Sequence, residues 1–139
     1  MVAKPIDVTC IGNAIVDVFS QATDDFLAEN GIEKGAMNLI DAERAELLYS
    51  KMGPGMEMSG GSAGNTAAGI ASLGGKAGYI GKVQDDTLGK VFRHDITAVG
   101  VRFETAPTLD GPPTARSLIM VTADAQRSMN TFLGACVQL

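Results

Sequence analysis

Ser59-Gly60-Gly61-Ser62-Ala63-Gly64-Asn65-Thr66-Ala67 is the stretch whose reading decides the fold. Before it, Met56-Glu57-Met58-Ser59 reads as a brief strand. After it, Thr66 to Leu73 reads as a helix of small residues that Gly74-Gly75 ends, and Ala77 to Val83 reads as the next strand. A strand, a glycine turn, a helix and a further strand make the repeating unit of a parallel sheet. The pattern then repeats. Asp85 or Asp86 caps a helix through Val99, whose Leu88, Val91, Phe92 and Ile96 share an apolar face, and Gly100 closes it.

Upstream, Ile6 to Gly12 is a short apolar run ending in Gly-Asn, as expected of a buried parallel strand that delivers its C-terminal end to a site. Val16 to Ala22 continues in extended style. Asp24 to Gly31 gives one or two helical turns with acids first and a glycine stop, and Met37 to Ile40 reads as another short strand. Asp41 then caps Ala42 to Met52, where Ala45, Leu48 and Met52 recur at helical spacing. Downstream, Thr114 to Thr122 and Gln126 to Leu133 are extended runs joined by the polar turn Ala123-Asp124-Ala125, an antiparallel hairpin. Two sheets are therefore expected: a parallel one with helices, and a smaller antiparallel one built from segments near Val16 to Ile40 and Thr114 to Leu133.

The 139 residues are 45% hydrophobic and 19% charged, ordinary for one globular domain, and the glycines cluster between Gly53 and Gly89 without a collagen-like period. A net charge of -5, with Lys and Arg scattered singly, argues against a nucleic-acid face and points to a small ligand. Met1 to Asp7 lacks the apolar h-region of a signal peptide, and no stretch has the length to cross a bilayer, so the expected location is cytoplasmic with no membrane partner. Cys10 and Cys136 lie far apart in apolar segments and are expected as two buried reduced thiols. The single histidine, His94, sits mid-helix, which leaves no base for a cysteine nucleophile.

The glycine turn carries the strongest chemical signal. Glycines let a ligand approach the backbone, amides at a helix N-terminus favour oxygen-rich or anionic groups, and Asn65 supplies a donor and an acceptor. Close packing of the helix on its sheet would explain the same small residues. No Gly-Lys-Ser or Gly-Lys-Thr follows and the glycines miss the dinucleotide G-x-G-x-x-G spacing, so a P-loop and a dehydrogenase domain both lose ground. Asn13 and Asp17 follow the first strand, where a parallel sheet places ligand contacts, and a carboxylate there can accept from two neighbouring sugar hydroxyls; capping of a turn is the other reading of Asp17. Asp85-Asp86 ahead of an apolar helix reads as a cap and not as a metal pair. Met52, Met56 and Met58 read as core or pocket lining.

These pieces together resemble the ribokinase-like (PfkB) carbohydrate kinase family, and within it the adenosine kinase branch. The resemblance rests on Gly12-Asn13-Ala14-Ile15-Val16-Asp17, the Ser59 to Ala67 stretch, Leu73-Gly74-Gly75, Gly81-Lys82-Val83, Asp85-Asp86, Leu88-Gly89, Pro113-Thr114 and Arg127 to Ala135. It implies an α/β fold, a Rossmann-like parallel sheet with helices on both faces plus a small β-sheet lid, truncated at the C-terminus. On this likeness the body spans about 5–13 and 41–101 and the lid about 14–40 and 102–133. Asn13, Asp17, Gly60, Gly61 and Asn65 would hold acceptor hydroxyls, with Asn38 and Phe132 lining the pocket from the lid.

The family transfers the γ-phosphoryl group of ATP to a hydroxyl with Mg²⁺ assistance, so the resemblance implies ATP and Mg²⁺ as cofactors with the ATP site mostly outside this chain, a sugar or nucleoside as partner, and a possible homodimer through the lid. Gln84 stands where the signature normally has Gly, and Ala115 where Gly is common. The family's second signature, Asp-Thr-x-Gly-Ala-Gly-Asp, is absent, so no catalytic base and no metal ligand is nominated, and the isolated chain is expected to aggregate or be partly unfolded and to lack kinase activity. The competing function is a non-catalytic sugar- or nucleoside-binding module.

Overall fold

The computed structural model describes residues 5–139. Strands β1 (Val8–Ile11), β5 (Ala77–Ile80) and β6 (Arg102–Phe103) form a three-stranded parallel sheet in the order β1-β5-β6. Strands β2 (Ile15–Gln21), β3 (Met37–Leu39), β4 (Gly55–Gly60), β7 (Ala115–Val121) and β8 (Arg127–Phe132) form a second sheet in the order β3-β8-β7-β2-β4. Helices α1 (Asp24–Glu29), α2 (Ala42–Lys51), α3 (Ser62–Ser72) and α4 (Thr87–Ala98) fill the connections, and a 3-10 turn at Gly134–Gln138 follows β8. The expected α/β class, a parallel sheet with helices beside a second sheet, is what the chain adopts.

Local chemistry places most helix ends. Thr23 Oγ1 accepts from the Phe26 amide at 3.1 Å to start α1, and Asp41 Oδ1 accepts from the Arg44 amide at 2.8 Å to start α2. Asp86 starts α4 as expected, Oδ1 accepting from the Gly89 amide at 2.7 Å. Helix α3 has no side-chain cap; Gly61 precedes it at φ 81°, a left-handed conformation that favours glycine. That turn is complete before Ser62, so the helix begins four residues earlier than its run of small residues indicates, and the Asn65 amide already donates to Gly61 O at 2.8 Å.

The core joins the two sheets. Tyr79 of β5, Phe92 of α4 and Phe103 of β6 pack pairwise with ring centroids 5.6 Å apart, and Phe92 is fully buried, a contribution on the order of 2–3 kcal/mol from that one side chain. The Tyr79 hydroxyl donates to Gly12 O at 2.9 Å, and burial pushes its phenol pKa up. Val16 and Val18 of β2 and Leu118 and Met120 of β7 form the second sheet's share of the core.

Several strands depart from expectation. The opening strand is parallel, but it is not buried: it pairs on one side only, with β5, and Val8 and Ile11 are exposed at the sheet edge. The strand before the glycine turn, β4, pairs antiparallel with β2 in the second sheet instead of feeding the parallel one. Strand alternation along a chain does not say which sheet a strand joins, and β2 offers β4 an edge in register from Ile15↔Gly60 to Ser20↔Gly55. The second sheet is consequently the larger of the two and is mixed, since β2 with β7 and β3 with β8 run parallel. Within 102–133, Arg102 and Phe103 belong to the parallel sheet. Met56 and Met58, expected as core or pocket lining, lie on the edge strand β4 and are exposed. Cys10 is half-buried and Cys136 buried, both free thiols.

Candidate functional site

The second sheet turns one face towards the N-terminus of α3, and a cavity of about 640 Å³ lies between them. Strand alternation selects its walls. Ile15, Asp17 and Phe19 enter it from β2, Ser117 and Ile119 from β7, Arg127, Met129 and Thr131 from β8, and Met37 and Leu39 from β3. Gly61, Ser62 and Asn65 close the end formed by the first turn of α3, and Asn13 reaches in from the connection between β1 and β2. A separate cavity of about 300 Å³, around Phe26, Lys51 and Met52, contains none of the glycine-turn residues.

Of the residues singled out from sequence, Asn13, Asp17, Gly61 and Asn65 therefore share one cavity. Gly60 acts through its missing side chain: a Cβ there would stand 2.3 Å from Asp17 Oδ2 and 2.4 Å from Asp17 Cγ, so the carboxylate lies against bare backbone. A Cβ at Gly61 would stand 2.6 Å from Asn13 O, which places the two connections in contact. Asn38 and Phe132 do not line the cavity. They occupy the alternate positions of β3 and β8, whose side chains point to the opposite face, and the cavity takes their neighbours Met37, Leu39, Thr131 and Leu133 instead.

Asp17 is half-buried, and among the described residues no group donates a hydrogen bond to its carboxylate. Burial accordingly raises its pKa above the ordinary aspartate value. Beside it in register, Ser117 pairs with Asp17 across β2 and β7, and its hydroxyl shares a 2.8 Å hydrogen bond with that of Thr131. Among the described residues Arg127 is the one basic side chain lining the cavity. Arg127 and Thr131 entered the sequence reading only as part of the Arg127 to Ala135 resemblance, and neither they nor Ser117 were singled out as site residues. The signal available was the period of two along Arg127-Ser128-Met129-Asn130-Thr131, which puts Arg127, Met129 and Thr131 on one face.

Among the described residues no group of three or more His, Cys, Asp or Glu stands together to hold a metal ion. With Arg127 as the one basic side chain among the described residues that line it, this cavity offers no cradle for a triphosphate. Among the described helices none is long and apolar enough to cross a membrane.

A mixed α/β chain whose glycine turn and aspartate meet in one cleft defines the class, and comparison with known proteins gives the family. Residues 35–139 match the family model "pfkB family carbohydrate kinase", and the chain belongs to that family. The structure resembles the crystal structure of adenosine kinase from Sinorhizobium meliloti with a TM-score of 0.91 at 68% identity, over 96% of this chain and 41% of that one. It resembles a probable sugar kinase from Rhizobium etli CFN 42 with a TM-score of 0.91 at 65% identity, over the same 96% and 41%. Aminoimidazole riboside kinase of Salmonella typhimurium is 34% identical over 102 residues, 70% of this chain and 31% of that protein. The chain thus spans less than half the length of each of these relatives.

Proposed function

We propose that this chain supplies the acceptor-binding part of an ATP-dependent kinase acting on a hydroxyl of a nucleoside or sugar, with the five-stranded sheet as lid over the acceptor. In that reaction the acceptor oxygen takes the γ-phosphoryl group and gives up its proton, and ADP leaves. This chain's share is to bind and orient the acceptor, which is most of what such a transfer asks of a protein.

The observation that carries the reading is the meeting of Asp17, Gly61 and Asn65 in one cavity of about 640 Å³. A half-buried carboxylate without a protein donor gains from two adjacent hydroxyls, which offset the cost of its burial. The open first turn of α3 adds amides suited to the same oxygens. The rest of the wall is apolar, from Ile15, Phe19, Met37, Leu39, Ile119 and Met129. A wall of that kind suits an acceptor bearing a flat base beside its polyol, and the likeness to the Sinorhizobium meliloti adenosine kinase supports a nucleoside over a simple sugar.

The test is a chimera in which this chain replaces the matching segment of the Sinorhizobium meliloti adenosine kinase. Asp17→Asn keeps the shape and removes the charge. Loss of hydrogen bonds to a charged group, about 1.5–3 kcal/mol, translates to a rise of about tenfold to a hundredfold in the KM for adenosine. An unchanged KM would overturn the assignment of Asp17, and adenosine binding without turnover would favour the non-catalytic module.

A further inference from the structure

Strand β2, which carries Asp17, lies between β7 and β4. Each of these neighbours is tied at its cavity end to helix α4 by an aspartate that does not line the cavity. At the start of α4, Asp86 takes three hydrogen bonds: from the Gly89 amide at 2.7 Å, the Thr114 amide at 2.8 Å and the Thr114 hydroxyl at 2.6 Å. Thr114 is 1% exposed, its hydroxyl also accepts from the Gln84 amide at 3.0 Å, and it immediately precedes β7. Three residues on, Ser117 stands in register with Asp17. Towards the other end of α4, Asp95 Oδ2 accepts from the Ser59 amide at 3.0 Å, one residue before Gly60.

The helix that makes these ties is itself fixed. Phe92 packs on Tyr79 and Phe103 of the parallel sheet, and the Arg93 guanidinium donates to Phe103 O at 3.0 Å and Thr105 O at 2.6 Å. A rigid element of one sheet thereby sets the positions of two strands of the other. Misplacement of a substrate-holding group by about 1 Å costs on the order of a hundredfold in rate, so the spacing around Asp17 is worth holding.

We propose that Asp86 and Asp95 are positioning residues of the acceptor site: from helix α4 they hold β7 and β4 on either side of β2, so that Asp17, Ser117 and the first turn of α3 converge on one acceptor. The inference rests on the reading of the cavity as the acceptor site. Neither aspartate touches the acceptor, and the burial of Thr114 makes the Asp86 tie the stronger of the two.

The experiment compares Asp86→Ala, Asp95→Asn, Thr114→Val and Thr114→Ser with Asp17→Asn in the same chimera, measuring Tm and the KM for adenosine and for ATP separately. Leu27→Ala, on the buried face of α1, serves as a variant that lowers stability without touching the ties. The expected result is a rise of about tenfold in the adenosine KM for Asp86→Ala and Thr114→Val, a smaller rise for Asp95→Asn, an unchanged ATP KM, and recovery in Thr114→Ser, which restores the hydroxyl. A structural role alone would lower Tm as Leu27→Ala does and leave the adenosine KM within twofold; with Asp17→Asn impaired, that result overturns the positioning inference while the cavity reading stands. An Asp17→Asn variant with normal adenosine KM overturns both. If Asp86→Ala does not fold, the Thr114→Val and Thr114→Ser pair decides.

Discussion

Helices α3 and α4 begin in opposite ways. At the start of α4 the Asp86 carboxylate is saturated by two amides and a hydroxyl, and Gly89 sits so close to Gln84 that a Cβ there would stand 2.0 Å from the Gln84 carbonyl oxygen. At the start of α3 there is glycine at φ 81°, no side-chain cap, and an aspartate across the turn that receives no protein hydrogen bond among the described residues. One helix start is closed with internal polar partners and serves the fold. The other has no side-chain cap and faces a carboxylate without a protein donor among the described residues, as the proposed acceptor site requires. The same residue types, Asp and Gly, do both, and what separates them is whether the acid finds its donors inside the chain.

The largest effect is expected where the closed start is disturbed. Gly89→Ala drives a methyl into backbone, which must move, at a cost of about 3 kcal/mol. Gly64→Ala in the first turn of α3 meets nothing nearer than Phe92 Cζ at 3.8 Å and replaces glycine within a helix, so it should leave stability unchanged or raise it by about 0.5–1 kcal/mol. Thermal melts of the two chimeras check this, and equal losses would erase the distinction between the two starts.

A smaller effect, confined to function, should follow Gly60→Ala. The new Cβ would occupy the place of the Asp17 carboxylate, 2.3 Å from Oδ2, and a side chain can swing aside where a backbone cannot. The expected outcome is a rise of about tenfold in the adenosine KM with Tm shifted by only a few degrees. A Tm loss as large as that of Gly89→Ala would show that Gly60 serves the fold and not the cavity.

Much of this was legible in sequence because it is local. Asp41 and Asp86 as caps, Gly74 and Gly100 as stops, and the hairpin around Ala123-Asp124-Ala125 follow from short-range hydrogen bonding and allowed backbone angles. The glycine turn and Asp17 were legible as a pair because strand ends and helix starts in such folds meet on one side of the sheet. What sequence did not carry was partnership between distant strands. Nothing local in Met56-Glu57-Met58-Ser59 says that it pairs with β2 and not with a parallel neighbour, and the sheet assignment of Arg102-Phe103 has the same origin. Asn38 and Phe132 fell one residue out of phase, since choosing a face of β3 or β8 needs the register with β7, which only the folded chain supplies.

The most delicate probe of the comparison is pH. Asp17 has its pKa raised by burial, whereas Asp124 on the hairpin turn, held by Lys34 and Thr122, is lowered to about 2. For Asp124 the folded value lies below the unfolded one, so its stabilising share is present at neutral pH and is lost as pH falls through about 2. For Asp17 the sign is reversed. The folded state holds the proton more tightly than the unfolded chain, so ionised Asp17 costs stability at neutral pH and that cost is relieved as pH falls through the raised value. Hydroxyl donors from an acceptor stabilise the ionised form, so adenosine binding should pull the Asp17 pKa down and release protons on the acid limb. Calorimetry of the chimera in buffers of different ionisation enthalpy reads that release directly. It should be present in the parent, absent in Asp17→Asn, and set in, as pH falls, above the pH at which an exposed aspartate titrates, because the free chain holds the raised value; no Asp17-dependent release would mean that the open helix start is not where the acceptor's hydroxyls are held.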